Sequence, residues 1–330
     1  MLSREKFHIH MTKCIAFHSY KGGTGKTTLA CNSAAALAKK GFNVCLLDLD
    51  LYAPSFQIYF QKEPSKGIND FLDTNARVED VMVDVTNIIN DVKIVDSRNS
   101  NGTASTSSAQ DEEQTKTGKL WIGFSHPKKK DVFKLEMAET DTKKEIIRRF
   151  IKLRERLMSE YDADYIILDT SPGMRFWSIN TLAIADILLL TLKSGDLDIE
   201  GTKRVVDEIY RTFTKFGSKA FLLCNRVAGY CVPHAIKQNT DSFPSYSTSF
   251  LPVSISPSAN HNQAIMQSQE EQIQDALDTI GKLSTELGIR TISSIPCFCD
   301  IQFLRREFLT VLKYPQHPFA KQIQQLTDSF

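Results

Sequence analysis

Three glycines and two lysines stand at fixed offsets in Tyr20-Lys21-Gly22-Gly23-Thr24-Gly25-Lys26-Thr27-Thr28. Glycine is about 7% of average sequence, so chance assembles such a set well below ~1 in 10⁵. Glycines let a backbone close on an anion with several N–H groups aimed at it, and a helix beginning there adds its positive N-terminal end. Lys26 is then placed to reach the β- and γ-phosphates of a nucleoside triphosphate. Thr27 would offer its hydroxyl to Mg²⁺, and Thr28 would lie beside the α-phosphate. The stretch therefore reads as an ATP or GTP site. A glycine-rich surface turn explains it less well, because an apolar run, Cys14 to Phe17, precedes it and a helical pattern, Leu29 to Lys40, follows.

Carboxylates recur at the ends of two other apolar runs. Phe42 to Leu47 delivers Asp48 and Asp50, which share one face at a strand's C-terminal end, the edge where ligands sit in doubly wound folds. Tyr165 to Leu168 delivers Asp169, followed by Thr170-Ser171-Pro172-Gly173. A hydrophobic strand, a terminal carboxylate and a glycine-containing turn make a Walker B pattern, in which Asp169 would hold Mg²⁺ through water and Gly173 could approach the γ-phosphate.

The standard phosphate loop, G-x-x-x-x-G-K-[ST], wants glycine where Tyr20 stands. Lys21 and the Gly22-Gly23 pair instead resemble the deviant Walker A motif, K-G-G-x-G-K-[ST], of the ParA/MinD superfamily of P-loop ATPases. Asp48-Leu49-Asp50 with Pro54-Ser55 is similar to that superfamily's switch I. Asp169 to Gly173 is similar to its D-T-P-P-G switch II, with Ser171 in place of the first proline, which leaves the switch II conformation open. Asn225-Arg226 and Ile295-Pro296 stand where the superfamily contacts adenine. No N-K-x-D element appears where a GTPase would place one, so adenine is expected.

The resemblance covers nearly the whole chain apart from the polar leader and two insertions. It implies a doubly wound α/β fold, a mainly parallel sheet with helices on both faces, binding ATP and Mg²⁺. By the same resemblance Asp48 stands near the Mg²⁺ shell with Thr27 and Asp169, and Asp50 orients the attacking water. Asn225 reads adenine and the backbone at Pro296 lines the adenine pocket. Two subunits close face to face in an ATP-dependent homodimer, and Lys21 of each reaches the other's phosphates. Such an ATPase is slow and acts as a switch, positioning or partitioning a chromosome, plasmid, division site or other cargo with an activating partner protein, on a DNA or membrane surface that the residues do not choose between. The rivals are an Mrp-type iron–sulfur carrier, a bacterial tyrosine kinase and an ATP-dependent synthetase of the same fold. The first would use Cys297 and Cys299, whose C-x-C departs from the carriers' C-x-x-C; the second would want a tyrosine cluster that is missing after Tyr314.

The surrounding elements must hold these groups at one edge. Strands are expected at 13–18, 42–47, 92–95, 120–124, 165–169, 187–192, 220–224 and 291–295. Helices are expected at 29–40, twice within 67–83, and at 141–161, 175–185, 198–216, 264–287, 301–312 and 318–329. Helix 141–161 would bury Ile146, Ile147, Phe150, Ile151, Leu153 and Leu157, and helix 264–287 a stripe of Ile273, Leu277, Ile280, Leu283 and Leu287. The last helix has Phe319, Ile323, Leu326 and Phe330 on one face but Lys321 as its only cation, which favours docking on the domain over a membrane tail. Residues 99–119, nearly free of apolar side chains, predict a mobile excursion, and 229–262 a long insertion. Lys128-Lys129-Lys130 reads as a solvated turn, Arg305-Arg306 as thin support for DNA contact, and Cys231 with His234 lacks the second pair a zinc site needs.

At 330 residues and 42% hydrophobic content the chain can bury a large core, and one ATPase domain over 1–330 is expected. A net charge of +1 gives no global pull toward nucleic acid or anionic lipid. Seven cysteines without an apolar leader suit a reducing cytoplasm, and no apolar run approaches a membrane span.

Overall fold

The computed structural model describes residues 11–73, 76–91, 117–126, 140–227, 274–298, 301 and 309–330. Eight strands form one sheet: β1 (Lys13–His18), β2 (Val44–Leu49), β3 (Met82–Asp84), β4 (Leu120–Gly123), β5 (Tyr165–Thr170), β6 (Ile187–Leu192), β7 (Lys219–Val227) and β8 (Thr291–Pro296). Their order is β3-β4-β2-β5-β1-β6-β7-β8, with every neighbouring pair parallel except β3 and β4. This is a doubly wound α/β arrangement. The chain winds outward from β1 in both directions, so the strand order reverses beside β1, where such sheets bind ligands at their carboxyl ends.

The central strands are apolar on both sides because both faces are covered. Cys14 and Ala16 of β1 join one core with Ile166 and Leu168 of β5, while Ile15 and Phe17 join the other with Tyr165 and Ile167. Over the first face lie α2 (Thr140–Glu160), α3 and α4 (274–287). Here α3 runs from Asp196–Val205 through a π-helical turn, Val206–Tyr210, into Arg211–Lys215. Over the second lie α1 (Lys26–Lys39) and α5 (Pro318–Asp328).

In α1, buried residues run all round the helix, because it packs both on the sheet, at β1, β2 and β5, and against α5 and the short helix Thr310–Lys313. Small side chains make this close double contact feasible. Asn32, wholly buried, clips the layers together by donating to Thr28 O and accepting from Val311 N at 3.0 Å. The helix ends in a Schellman turn: Gly41 (φ 99°) donates to Ala38 O and Phe42 to Leu37 O.

Several expectations change. The second strand begins and ends two residues later than 42–47, which brings Asp48 inside it. A helix at Phe56–Phe60, the antiparallel edge strand β3 and a helix at Thr86–Asn90 have no counterpart in the sequence reading. Thr117 to Lys119, assigned to the polar excursion, are held in place, with Gly118 N donating to Ala38 O and Val44 N to Lys119 O. Ile151 and Leu277 are 46% and 38% exposed, so the buried stripes of α2 and α4 are narrower than their periodicity suggests. Phe319, Ile323, Leu326 and Phe330 are buried, and α5 is a docked helix, as its lone cation implied. The expected strand at 92–95, residues 99–116, Lys128 to Lys130, the insertion at 229–262 with Cys231 and His234, Cys299 and Arg305-Arg306 lie outside the described residues. Among the described residues no helix is long and apolar enough to cross a membrane.

Candidate functional site

The turn from Ser19 to Gly25 links β1 to α1, with Gly25 as the residue before the first helical turn at φ 93°. A Cβ there would lie 2.4 Å from Asn225 Nδ2, so glycine is required by both conformation and space. The tip of β7 braces the turn from outside: Asn225 Nδ2 donates to Thr24 O at 2.8 Å and Arg226 Nη1 to Gly23 O at 3.3 Å. Arg226 adopts φ 58° at an irregularity in the β7–β8 register, and this left-handed residue returns the side chain toward the loop. Within the turn, Ser19 Oγ donates to Lys21 O. Lys21 is half-buried and Lys26 is buried.

Strand register places the acids. Phe17 of β1 pairs with Asp169 of β5, which pairs with Asp48 of β2, so both acids sit on adjacent strands level with Phe17, just before the loop begins at Ser19. Both are essentially unexposed. Asp48 Oδ2 accepts from Ser55 N and Phe56 N, and Oδ1 from Asp50 N, so this carboxylate shapes the loop after β2. Burial and the neighbouring Asp169 nevertheless push its pKa well up, outweighing the backbone N–H groups. Neither oxygen of Asp169 has a hydrogen-bond partner. Burial raises its pKa to about 7, against the pull of the Lys26 ammonium and of the Thr27 hydroxyl, which lies close by without closing a full hydrogen bond. Burial in turn depresses Lys26, opposed by Asp169 and Asp50.

The two loops beyond β2 and β5 are tied to each other. Ser171 Oγ is 3.0 Å from Asp50 Oδ1 and 3.3 Å from Leu49 O, and the Arg175 guanidinium lies over the Tyr52 ring at 4.3 Å. Gly173 N donates to Ser19 O at 2.8 Å, joining the second loop to the start of the phosphate turn. Beneath, His18 Nδ1 meets Thr170 Oγ1 at 2.9 Å and its ring lies beside Tyr210. Burial, with Lys26 nearby, holds this imidazole down to about 3, so it is neutral.

The structure thus gathers Lys21, Gly22, Gly23, Thr24, Gly25, Lys26, Thr27, Thr28, Asp48, Asp50 and Asp169 at one edge of the sheet. Asn225 is there too, with one amide hydrogen committed to the loop. Pro296 ends β8 beside Val227 and is exposed. Sequence reasoning missed Tyr59, whose hydroxyl is 2.8 Å from Thr28 Oγ1, and Gly201 of α3, against which the Tyr20 ring packs. Both are tertiary contacts between segments far apart in the chain, and neither residue stands in a motif.

The acids fit Mg²⁺. An unpartnered buried carboxylate beside a second one is costly without a cation. Among the described residues no three His, Cys, Asp or Glu side chains converge into an all-protein cage, which suits a cation that takes one or two carboxylates and completes its shell with phosphates and water.

A glycine-rich turn capping a helix at the switch point of a parallel sheet, with buried acids on the adjoining strand tips, defines a P-loop nucleotide-binding protein. Residues 12–220 match the family model described as AAA domain, and the chain belongs to that family, within the ParA/MinD-type P-loop ATPases. It is 25% identical over 201 residues to the sporulation initiation inhibitor protein Soj of Bacillus subtilis, covering 60% of this chain and 65% of Soj. A 46-residue stretch, 14% of the chain and 13% of that relative, is 52% identical to an iron–sulfur cluster carrier protein of Aquifex aeolicus. The chain thus spans less than two thirds of these relatives. The fold matches the septum site-determining protein MinD of Pyrococcus horikoshii, solved with Mg-ADP, with a TM-score of 0.59 at 17% identity over 97% of this chain and 96% of that one. MinD of Aquifex aeolicus, solved in a complex with MinC, gives 0.59 at 16% identity over 96% and 95%.

Proposed function

We propose that this chain is an ATP-hydrolysing switch whose Mg²⁺-ATP-bound form dimerises to position or partition a cellular cargo. The observation that carries the reading is Asp169: buried, without a hydrogen-bond partner, level with Asp48 and electrostatically coupled to Lys26 at the mouth of the glycine-rich turn. The Mg-ADP in the MinD structure supports nucleotide and Mg²⁺ in a fold of this kind.

In this reading the turn and Lys26 bind the phosphates, while Thr27 and Asp169 hold Mg²⁺, with Asp48 fixing the backbone beside it. When bound, the ion would be held by Thr27 and Asp169 and would neutralise charge on the phosphates. Asp50, whose Oδ1 accepts from Ser171 and from Ala53 N, must exchange that hydroxyl for the attacking water, which it orients in line with the γ-phosphate. Lys21, half-buried, extends from one subunit to the phosphates of the other, so ATP favours the dimer and hydrolysis releases it. Asn225 and the backbone at Pro296 border the adenine. We take residues 1–330 as one ATPase domain acting in the cytoplasm, with an activating protein partner and a DNA or membrane surface as its track.

Sedimentation velocity of Asp50→Ala with ATP and Mg²⁺ tests the switch. A dimer that reverts to monomer with ADP supports it, and a monomer in both nucleotides counts against it. Pelleting the same variant with duplex DNA and with anionic liposomes separates the two tracks. The iron–sulfur carrier is the second reading, favoured by the short stretch of high identity. Anaerobic reconstitution that yields cluster absorbance in the wild type, and none after replacement of Cys297 and Cys299, would select it.

A further inference from the structure

The pairing of β1 with β5 runs from Lys13 and Tyr165 to Phe17 and Asp169, and it ends there, at the acid. On its other side β5 stays paired with β2 for one residue more, to Leu49 and Thr170. What carries the β1 side further is a pair of side-chain hydrogen bonds. Thr170 Oγ1 donates to Phe17 O at 2.9 Å, and His18 Nδ1 stands 2.9 Å from the same hydroxyl oxygen. A threonine hydroxyl has one hydrogen; were it turned to His18, the oxygens of Thr170 and Phe17 would face each other at 2.9 Å with no hydrogen between them. The hydrogen of the second bond therefore belongs to the imidazole, so Nδ1 donates and Thr170 accepts. Both side chains are wholly buried, and the ring lies close enough to the loop after β5 for the backbone at Ser171 and Gly173 to act on it. We propose that His18 is a positioning residue for Asp169: its Nδ1–H, acting through Thr170, fixes the tip of β5 on the β1 side and so sets where the Asp169 carboxylate stands to receive the Mg²⁺ of a bound nucleotide.

The inference rests on the nucleotide reading above and gives a role to a residue outside every motif in the chain. Neither oxygen of Asp169 has a hydrogen-bond partner, so its place depends on the backbone that bears it. That backbone is held by β2 on one side and, beyond Phe17, by His18 and Thr170 on the other. Groups that orient a metal-binding side chain without touching the metal are typically worth about 10–100-fold in metal affinity. Only one tautomer serves. With the ring neutral and Nδ1 protonated, Nε2 is a bare acceptor, and it has no hydrogen-bond partner. An asparagine at this position would carry its amide Nδ2 as many bonds from Cα as the imidazole Nδ1, so His18→Asn keeps the donor, whereas His18→Leu puts a methyl group there.

The test is ADP binding by isothermal titration calorimetry, in Mg²⁺ and again in EDTA, to the wild-type chain, His18→Leu and His18→Asn. The ratio of the two dissociation constants isolates the share of affinity that depends on the metal. It should fall about tenfold in His18→Leu and return to within about threefold of wild type in His18→Asn. A merely structural His18 would lower the melting temperature of the variants and leave this ratio alone. A His18→Leu ratio within twofold of wild type, or a His18→Asn ratio no better than that of His18→Leu, overturns the proposal. A second measurement needs no folded variant: in the nitrogen NMR spectrum of the nucleotide-free wild-type chain, His18 should show a protonated Nδ1 and a bare Nε2, and the opposite tautomer overturns the assignment of the donor. If the wild-type chain takes up no ADP in Mg²⁺, it is the nucleotide reading that fails, while the tautomer still decides the contact between His18 and Thr170.

Discussion

Tyr20 occupies a position where a standard phosphate loop has glycine, and Gly201 in α3 makes room for it. A Cβ on Gly201 would lie 1.9 Å from Tyr20 Cδ1 and 2.5 Å from its Cγ, so the ring would have to move from its root. Gly201→Ala should therefore act on the phosphate turn from a helix on the far side of the sheet edge. Overpacking a well-filled site costs about 1–3 kcal/mol, while alanine in a helix interior returns about 1 kcal/mol relative to glycine. In the wild-type background the two effects leave Gly201→Ala between neutral and ~2 kcal/mol destabilising. In a Tyr20→Ala background the clash is gone and the same change should stabilise by up to ~1 kcal/mol. The coupling energy between the two positions is thus about 1–3 kcal/mol, measurable by urea unfolding of the four proteins in a double-mutant cycle. Because the ring sits between Ser19 and Lys21, Gly201→Ala alone should also weaken ADP binding, and Tyr20→Ala should suppress that effect. Equal free-energy changes for Gly201→Ala in both backgrounds would refute the packing argument.

Asp169→Asn removes a buried, unpartnered carboxylate, so the nucleotide-free protein should become more stable by about 1–3 kcal/mol while the added stabilisation from Mg²⁺ with ADP disappears; melts with and without Mg-ADP read both effects. His18 is held neutral with a pKa of about 3, whereas in the unfolded chain it takes up a proton near pH 6.5. Its contribution is complete above about pH 6.5 and is lost toward pH 3, with a slope of up to ~1.4 kcal/mol per pH unit, so urea midpoints of His18→Asn should fall less between pH 6 and pH 4 than those of the wild type.

Local chemistry was legible where it determines local structure. The glycine-rich turn, the strands 13–18 and 187–192, and the acids at strand tips follow from residue types and spacing, and the structure places them together. What stayed hidden is set by contacts between distant segments. The helical pattern from Leu29 to Lys40 does not reveal that a second layer, α5, packs on the side of α1 away from the sheet. Ile151 and Leu277 lie at the margins of their stripes, where periodicity alone does not say how wide the covered face is. Ser171 looked like a flaw in a proline-rich pattern, yet its hydroxyl supplies the link to Asp50 that proline could not. Tyr59 and Gly201 carry no pattern of their own, and only the fold brings them to Thr28 and Tyr20.

The central claim is that a nucleotide's phosphates lie in the turn between β1 and α1, with Lys26 upon them. Titration of ADP in Mg²⁺ into the wild-type chain and into Lys26→Ala measures this directly. The account predicts saturable binding of one ADP per chain that weakens about 100-fold or more when the ammonium is removed. Wild-type protein that takes up no ADP, or a Lys26→Ala variant that binds it equally well, would contradict it.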